Sequence, residues 1–326
     1  MKKTLVALAA LAATGAFAQV TITGELAMGY QATTTGGATT ADAGGLGVDT
    51  SQLWFNANED LGGGTKIAAS MSLAGADRSG ESGDGSVRGR NATLTLTTNV
   101  GAFVLGSAKA ADYLSGGVAG LGVYWNGFDN KVFSARSNRD TLSYILPVGA
   151  FTLTLSTQES AGLQGIGAGQ TGDGVATGQR LNVIAGKYAS GALVVDGQWL
   201  QFDSRGDNTD ALSKDQLRLS GSYDLGSVQL GAGLTQASTT GKQKVTDSLV
   251  AIKVPMGALT LGAQLANRRV DDSTVLTNGS RGGYSLNAQY NMSKTTYVVA
   301  NYARWDASVG AANASSQYNV LLVKDF

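Results

Sequence analysis

A glycine turn followed by a strict apolar/polar zigzag recurs along this chain. It appears as "VGAFVLGS" at 100–107, "VGAFTLTLS" at 148–156 and "MGALTLGAQ" at 256–264, with looser copies at 190–197 and 225–233. Alternation with period two belongs to β-strands, whose successive side chains point to opposite faces. In "VTITGELAMGY" the residues Val20, Ile22, Leu26, Met28 and Tyr30 share one face, and Thr21, Thr23, Glu25 and Ala27 share the other. In "AFTLTLS" Phe151, Leu153 and Leu155 oppose Thr152, Thr154 and Ser156. An amphipathic helix would space its apolar residues three and four apart, and no convincing run of that kind follows the first 18 residues. The chain is therefore expected to be all-β.

The connections alternate as regularly as the side chains. Short turns fall at 59–64, 98–101, 147–149, 189–191, 224–226, 255–257 and 291–294. Longer polar, glycine-rich segments lie between them, at 32–50, 75–87, 108–138, 159–178, 203–214, 237–244, 269–280 and 306–315. That order predicts about sixteen strands in an antiparallel up-and-down meander, each near the length that a tilted membrane strand needs. A soluble β-sandwich also alternates inward and outward residues. Here, however, the polar face is rich in small neutral residues (Thr, Ser, Gly, Asn, Gln), where a soluble exterior would carry more charge. A sheet in lipid cannot leave an edge unpaired, so the meander is expected to close into a transmembrane barrel. Only 2 prolines among 326 residues agree with that, since proline removes a ladder hydrogen bond. Tyr30, Tyr144, Tyr188, Tyr223, Tyr284, Tyr290, Tyr297 and Tyr318 fall near the predicted strand ends, where rings suit the water–lipid border.

Residues 1–18 form a separate object. Lys2 and Lys3 precede an apolar run ending in Ala16-Phe17-Ala18, which reads as a secretory signal peptide with the barrel domain over 19–326. The run is short for a membrane-spanning helix. Without those two lysines the chain carries two more acidic than basic residues, which points away from nucleic acid. The sequence contains no histidine and no cysteine. Histidine-assisted nucleophilic catalysis, thiolate metal sites and disulfides are thereby excluded, and no enzyme activity, cofactor or metal is expected. "GAGQTG" at 167–172 fits a dinucleotide pattern, but it sits in a glycine-rich loop and not between a strand and a helix. Asp203, Asp207 and Asp210 read as solvated loop carboxylates in preference to a calcium site.

Several stretches carry a family likeness. They are "NEDLGGGTKIAASMSL" (58–73), "GRNATLTLTTNVGAFVLGSAKAADY" (89–113), "YNMSKTTYVVANYA" (290–303) and the terminal strand "QYNVLLVKDF" ending on Phe326. Together they resemble the trimeric general porins of Gram-negative outer membranes, of the β-proteobacterial type, over essentially the whole chain after residue 18. The resemblance implies a sixteen-stranded barrel in a homotrimer, with a water-filled channel through each subunit for ions and small hydrophilic solutes. It also implies a third long loop folded into the lumen, contact with outer-membrane lipid and lipopolysaccharide, and a terminal Phe326 read by the barrel-assembly machinery. This chain departs from the family pattern where Gln52, Trp54 and Asn56 stand before "NED", so a wall arginine is missing. The third loop offers only Asp112 and Asp129 as acids.

A channel works by fixed charges around its narrow part, so charged residues of inward parity are the candidate site. Alternation places Glu25, Lys66, Arg139, Arg218, Gln264 and Arg268 inward. Arg139 leads, because it follows the third loop and shares parity with Thr141 and Ser143. Arg136 is an offset match to the family arginine. Arg90 matches a family arginine but shares a face with Leu94 and Leu96; either a bulge turns it inward, or it sits at a subunit contact or above the apolar band. Inward cations outnumber inward acids slightly, which suggests a weak anion preference. The competing readings are a sugar- or phosphate-specific channel, favoured by Tyr113, Tyr124, Trp125 and Phe128, and a soluble exported β-sandwich that binds a ligand.

Overall fold

The structure is a computed structural model that describes residues 19–36, 41–75, 87–109, 138–159, 179–204, 213–239, 243–273, 278–306 and 314–326. Among them run sixteen strands: β1 (Gln19–Thr35), β2 (Ala41–Gly62), β3 (Thr65–Ala74), β4 (Arg88–Thr98), β5 (Gly101–Lys109), β6 (Asn138–Val148), β7 (Phe151–Glu159), β8 (Gln179–Ser190), β9 (Leu193–Ser204), β10 (Ser213–Asp224), β11 (Gln229–Thr239), β12 (Lys244–Met256), β13 (Leu259–Asp271), β14 (Gly279–Asn291), β15 (Thr296–Trp305) and β16 (Ser315–Asp325). Each pairs antiparallel with its chain neighbours, and β1 pairs with β16, so the sheet closes into one barrel. A single closed ring is incompatible with the two stacked sheets of a sandwich. The seven short turns fall where the sequence signals put them, six of them at glycines. Gly149 and Gly257 take φ of 60° and 65°, a region a glycine enters without strain.

One expectation shifts. The segment expected to be a long loop at 32–50 is mostly strand, because β1 runs to Thr35 and β2 starts at Ala41. Its glycines and alanines lack the apolar alternation that marks a strand, yet backbone pairing from Thr35↔Ala41 downward holds them. The third long connection, at 110–137, lies outside the described residues, as do Asp112, Asp129 and Arg136 and the segment 1–18.

The outer face is a continuous apolar belt. Ile22, Leu105, Leu219 and Leu286 lie at well-separated points around the ring and are 60%, 51%, 54% and 52% exposed. A soluble surface rarely carries a patch of such extent, whereas a barrel in lipid requires one. Ring pairs border the belt. Phe103–Tyr144 and Phe151–Tyr188 sit toward the short turns, and Tyr30–Tyr318 and Tyr284–Tyr302 toward the long connections. Tyr297 departs from the expected girdle. Its parity on β15 is inward, and it packs against the buried cluster of Ala27, Val299, Leu321 and Val323.

Closure has specific requirements. Beyond the ladder, Gly24 and Phe326 exchange two backbone hydrogen bonds, at 2.6 and 3.0 Å. The Phe326 ring lies over Gly24, where a Cβ would come within 2.4 Å of the ring. At Gly29 a Cβ would come within 1.9 Å of the Val320 carbonyl oxygen, so β1 and β16 approach as closely as glycine permits.

Candidate functional site: the inner face of the barrel

Strand pairing carries one row of inward residues across six strands. Gln198 on β9 faces Arg218 on β10; Arg218 faces Thr235 on β11; Thr235 faces Asp247 on β12; Asp247 faces Arg268 on β13; Arg268 faces Arg281 on β14. Within that row Arg268 donates from Nε to Asp247 Oδ1 and from Nη2 to Asp247 Oδ2, both at 2.6 Å. Arg218 Nη1 reaches Gln198 Oε1 at 3.5 Å. Arg139 on β6 has the inward parity of Ser143, whose Oγ bonds the inward Ser156 Oγ at 2.8 Å. Arg139 also stands within electrostatic range of Arg218, and its Nη1 is buried with no hydrogen-bond partner.

Arg90 reaches the same side by a different device. The pairing of β3 with β4 slips by one residue at Ser72/Leu73, so Asn91 faces Ser72 and Gly89 faces Leu73. Arg90 is the extra residue of that bulge, which redirects it from the face of Leu94 and Leu96. Its Nη1 donates to Gln52 Oε1 at 2.9 Å, and Gln52 shares the inward parity of Glu25, its neighbour on β1. The guanidinium therefore stands against the position where the wall arginine is missing.

The remaining candidates lie elsewhere on this face. Gln264 faces the inward Ser285 and is buried. Lys66 and Glu25 sit toward the short turns. Lys66 is 3.8 Å from Asp60, and Glu25 faces Asp325 across the β1–β16 seam. Sequence reasoning missed Asp247, Arg281 and an amide ladder. In that ladder Asn287 Nδ2 donates to Asn301 Oδ1 at 2.9 Å, and Asn301 Nδ2 donates to Asn319 Oδ1 at 2.7 Å. The inner face is also less uniformly polar than the alternation suggests. Leu181, Val183 and Leu200 form an inward buried cluster, and Val323 is 0% exposed. Being shut off from solvent, these aliphatic residues escape the demand for polarity that a wet wall imposes.

This ring, with charges inside and a lipid-type belt outside, matches known proteins. A family model described as Gram-negative porin matches residues 4–310. The chain belongs to the Gram-negative porin family. Among solved structures this porin is similar to an anion-selective porin from Comamonas acidovorans, at 19% identity and a TM-score of 0.71, over 95% of this chain and 100% of that one. It is also similar to OmpT, an outer membrane protein of Vibrio cholerae in trimer form, at 14% identity and a TM-score of 0.68, over 95% of this chain and 99% of that one. Among curated proteins no sequence matches the porin. The family and the sixteen-strand fold together make the chain an outer-membrane channel, and they point to a pore in preference to an enzyme.

Proposed function

We propose that this porin passes ions and small hydrophilic solutes by passive diffusion, as a homotrimer, with a weak preference for anions. The observation that carries the preference is the arginine set on the inner face. Arg90, Arg139, Arg218 and Arg281 supply cationic charge, and Arg268 is largely neutralised by Asp247. Fixed charges around a narrow aqueous passage raise the local concentration of counter-ions and so bias the current. The anion-selective relative and the trimeric relative support the reading by their fold alone. On the same reading the outer belt meets lipid and lipopolysaccharide, the leader is removed on export, and the assembly machinery reads Phe326. The sugar- or phosphate-specific alternative rests on third-loop aromatic residues outside the described residues.

The test is the zero-current potential of the refolded protein between unequal salt solutions. We expect an anion-preferring sign, and Arg139→Glu should move the potential toward cations. A potential that Arg139→Glu leaves unchanged would remove Arg139 from the conduction path.

A further inference from the structure

The inward charges are sorted along the barrel axis. All long connections leave one end of the strands and all short turns the other. Among the described residues, the inward cations of the half nearer the long connections are arginines: Arg88, Arg90, Arg139, Arg218, Arg268 and Arg281. Asp247 pairs with Arg268 and also acts on Arg218. Among the described residues, the inward cations of the half nearer the short turns are lysines, and the inward acids outnumber them. Lys66 is bridged to Asp60, and Lys187 faces Asp196. Lys253 faces the neutral Gln229 and Gly262. Against these stand Glu25 and Asp325, which face each other across the closing seam with Tyr297 hydrogen-bonded to Asp325. Like charges placed opposite each other on neighbouring strands are unfavourable, so this pair is a costly concentration of negative charge at one end of the wall.

We infer that the lumen is bipolar along its axis and that the open channel therefore rectifies. The arginine half concentrates anions and the carboxylate half concentrates cations. A voltage with the short-turn side positive draws anions in through the arginine half and cations in through the acidic half. Both halves then fill toward their junction and conductance rises. The opposite voltage draws both ions away from the junction and conductance falls. The effect depends on fields that reach across the passage. The screening length is about 10 Å at 0.1 M salt and about 3 Å at 1 M, so the asymmetry belongs to dilute salt. The inference rests on the channel reading but not on the anion preference, because selectivity follows the net charge and rectification follows its axial separation.

The experiment is single-channel current against voltage in symmetric potassium chloride. The chain has no cysteine, so a Ser227→Cys background reports orientation: a bulky impermeant thiol reagent acts only from the side that the short turns face. At 0.1 M the current with the short-turn side positive should exceed the reverse current roughly 1.5- to 2-fold, and the ratio should approach one at 1 M. Glu25→Gln with Asp325→Asn should bring the 0.1 M ratio toward one while the reversal potential in a salt gradient stays anionic or becomes more so. Equal currents at both polarities in 0.1 M salt would overturn the inference, as would an asymmetry of opposite sign or one that this double variant leaves unchanged. The salt series needs only the wild-type inner face, so the test survives a double variant that fails to fold. An anionic reversal potential with symmetric currents would sink the bipolar lumen and leave the anion preference standing.

Discussion

Asp247→Asn is expected to have a large effect on stability. The Arg268–Asp247 pair is bidentate, with both contacts at 2.6 Å, and its side chains are only 6% and 10% exposed. Arg218 also acts electrostatically on Asp247. Asparagine keeps the volume but removes the charge, which leaves Arg268 buried with a weaker partner beside a second cation. Breaking one side of a buried pair costs about 3–5 kcal/mol, chiefly as the penalty of an uncompensated buried charge. The loss should therefore sit near that range. Replacing the whole pair by apolar groups, Asp247→Leu with Arg268→Met, should recover most of it, because both desolvation penalties vanish together. Lys66–Asp60 serves as the contrast. At 3.8 Å, with side chains 67% and 62% exposed, it should lose no more than about 1 kcal/mol on Asp60→Asn. The assay is the folded fraction across a urea series in detergent, read by the mobility difference between folded and unfolded barrel on a gel. An Asp247→Asn midpoint equal to wild type, or a double variant no more stable than Asp247→Asn, would refute the reasoning.

Other expectations concern the seam and the ladder. Gly29→Ala places a Cβ where the Val320 carbonyl oxygen already stands, so the yield of refolded barrel should drop sharply, and a wild-type yield would contradict the close approach of β1 and β16. Gly24→Val should displace the Phe326 ring without breaking the backbone bonds, giving a smaller loss, visible as slower refolding. Asn301→Leu strands the Asn287 donor and the Asn319 acceptor on a buried face. It should cost about 1–3 kcal/mol for each orphaned group, measured in the same urea series.

The parts of this protein that sequence made legible are those governed by period two. Val20 through Tyr30 and Phe151 through Ser156 show their outer and inner faces by alternation alone, because lipid on one side and a different environment on the other leave each position little choice. Arg90 was legible only as a choice between a bulge and an outward placement, since one unpaired residue reverses parity and nothing in "VRGRNAT" marks where the slip falls; the pairing of Ser72 and Leu73 with β4 decides for the bulge. Asp247 was hidden for a related reason. Its strand places Leu249 and Ala251 on the inner face beside it, so hydropathy there does not separate inside from outside. The axial sorting of charge was hidden more deeply. It requires knowing the end of the barrel at which each residue sits as well as the face, and a single-strand pattern has no axial coordinate. The coordinate comes from order along the chain: odd-numbered strands run one way and even-numbered strands the other. Arg139, one residue into β6, and Arg268, three residues before the end of β13, therefore stand in the same half despite opposite positions in their strands. A charge-reversing substitution on this wall consequently has two effects, one set by its sign and one set by its distance from the turns, and current–voltage curves can separate them.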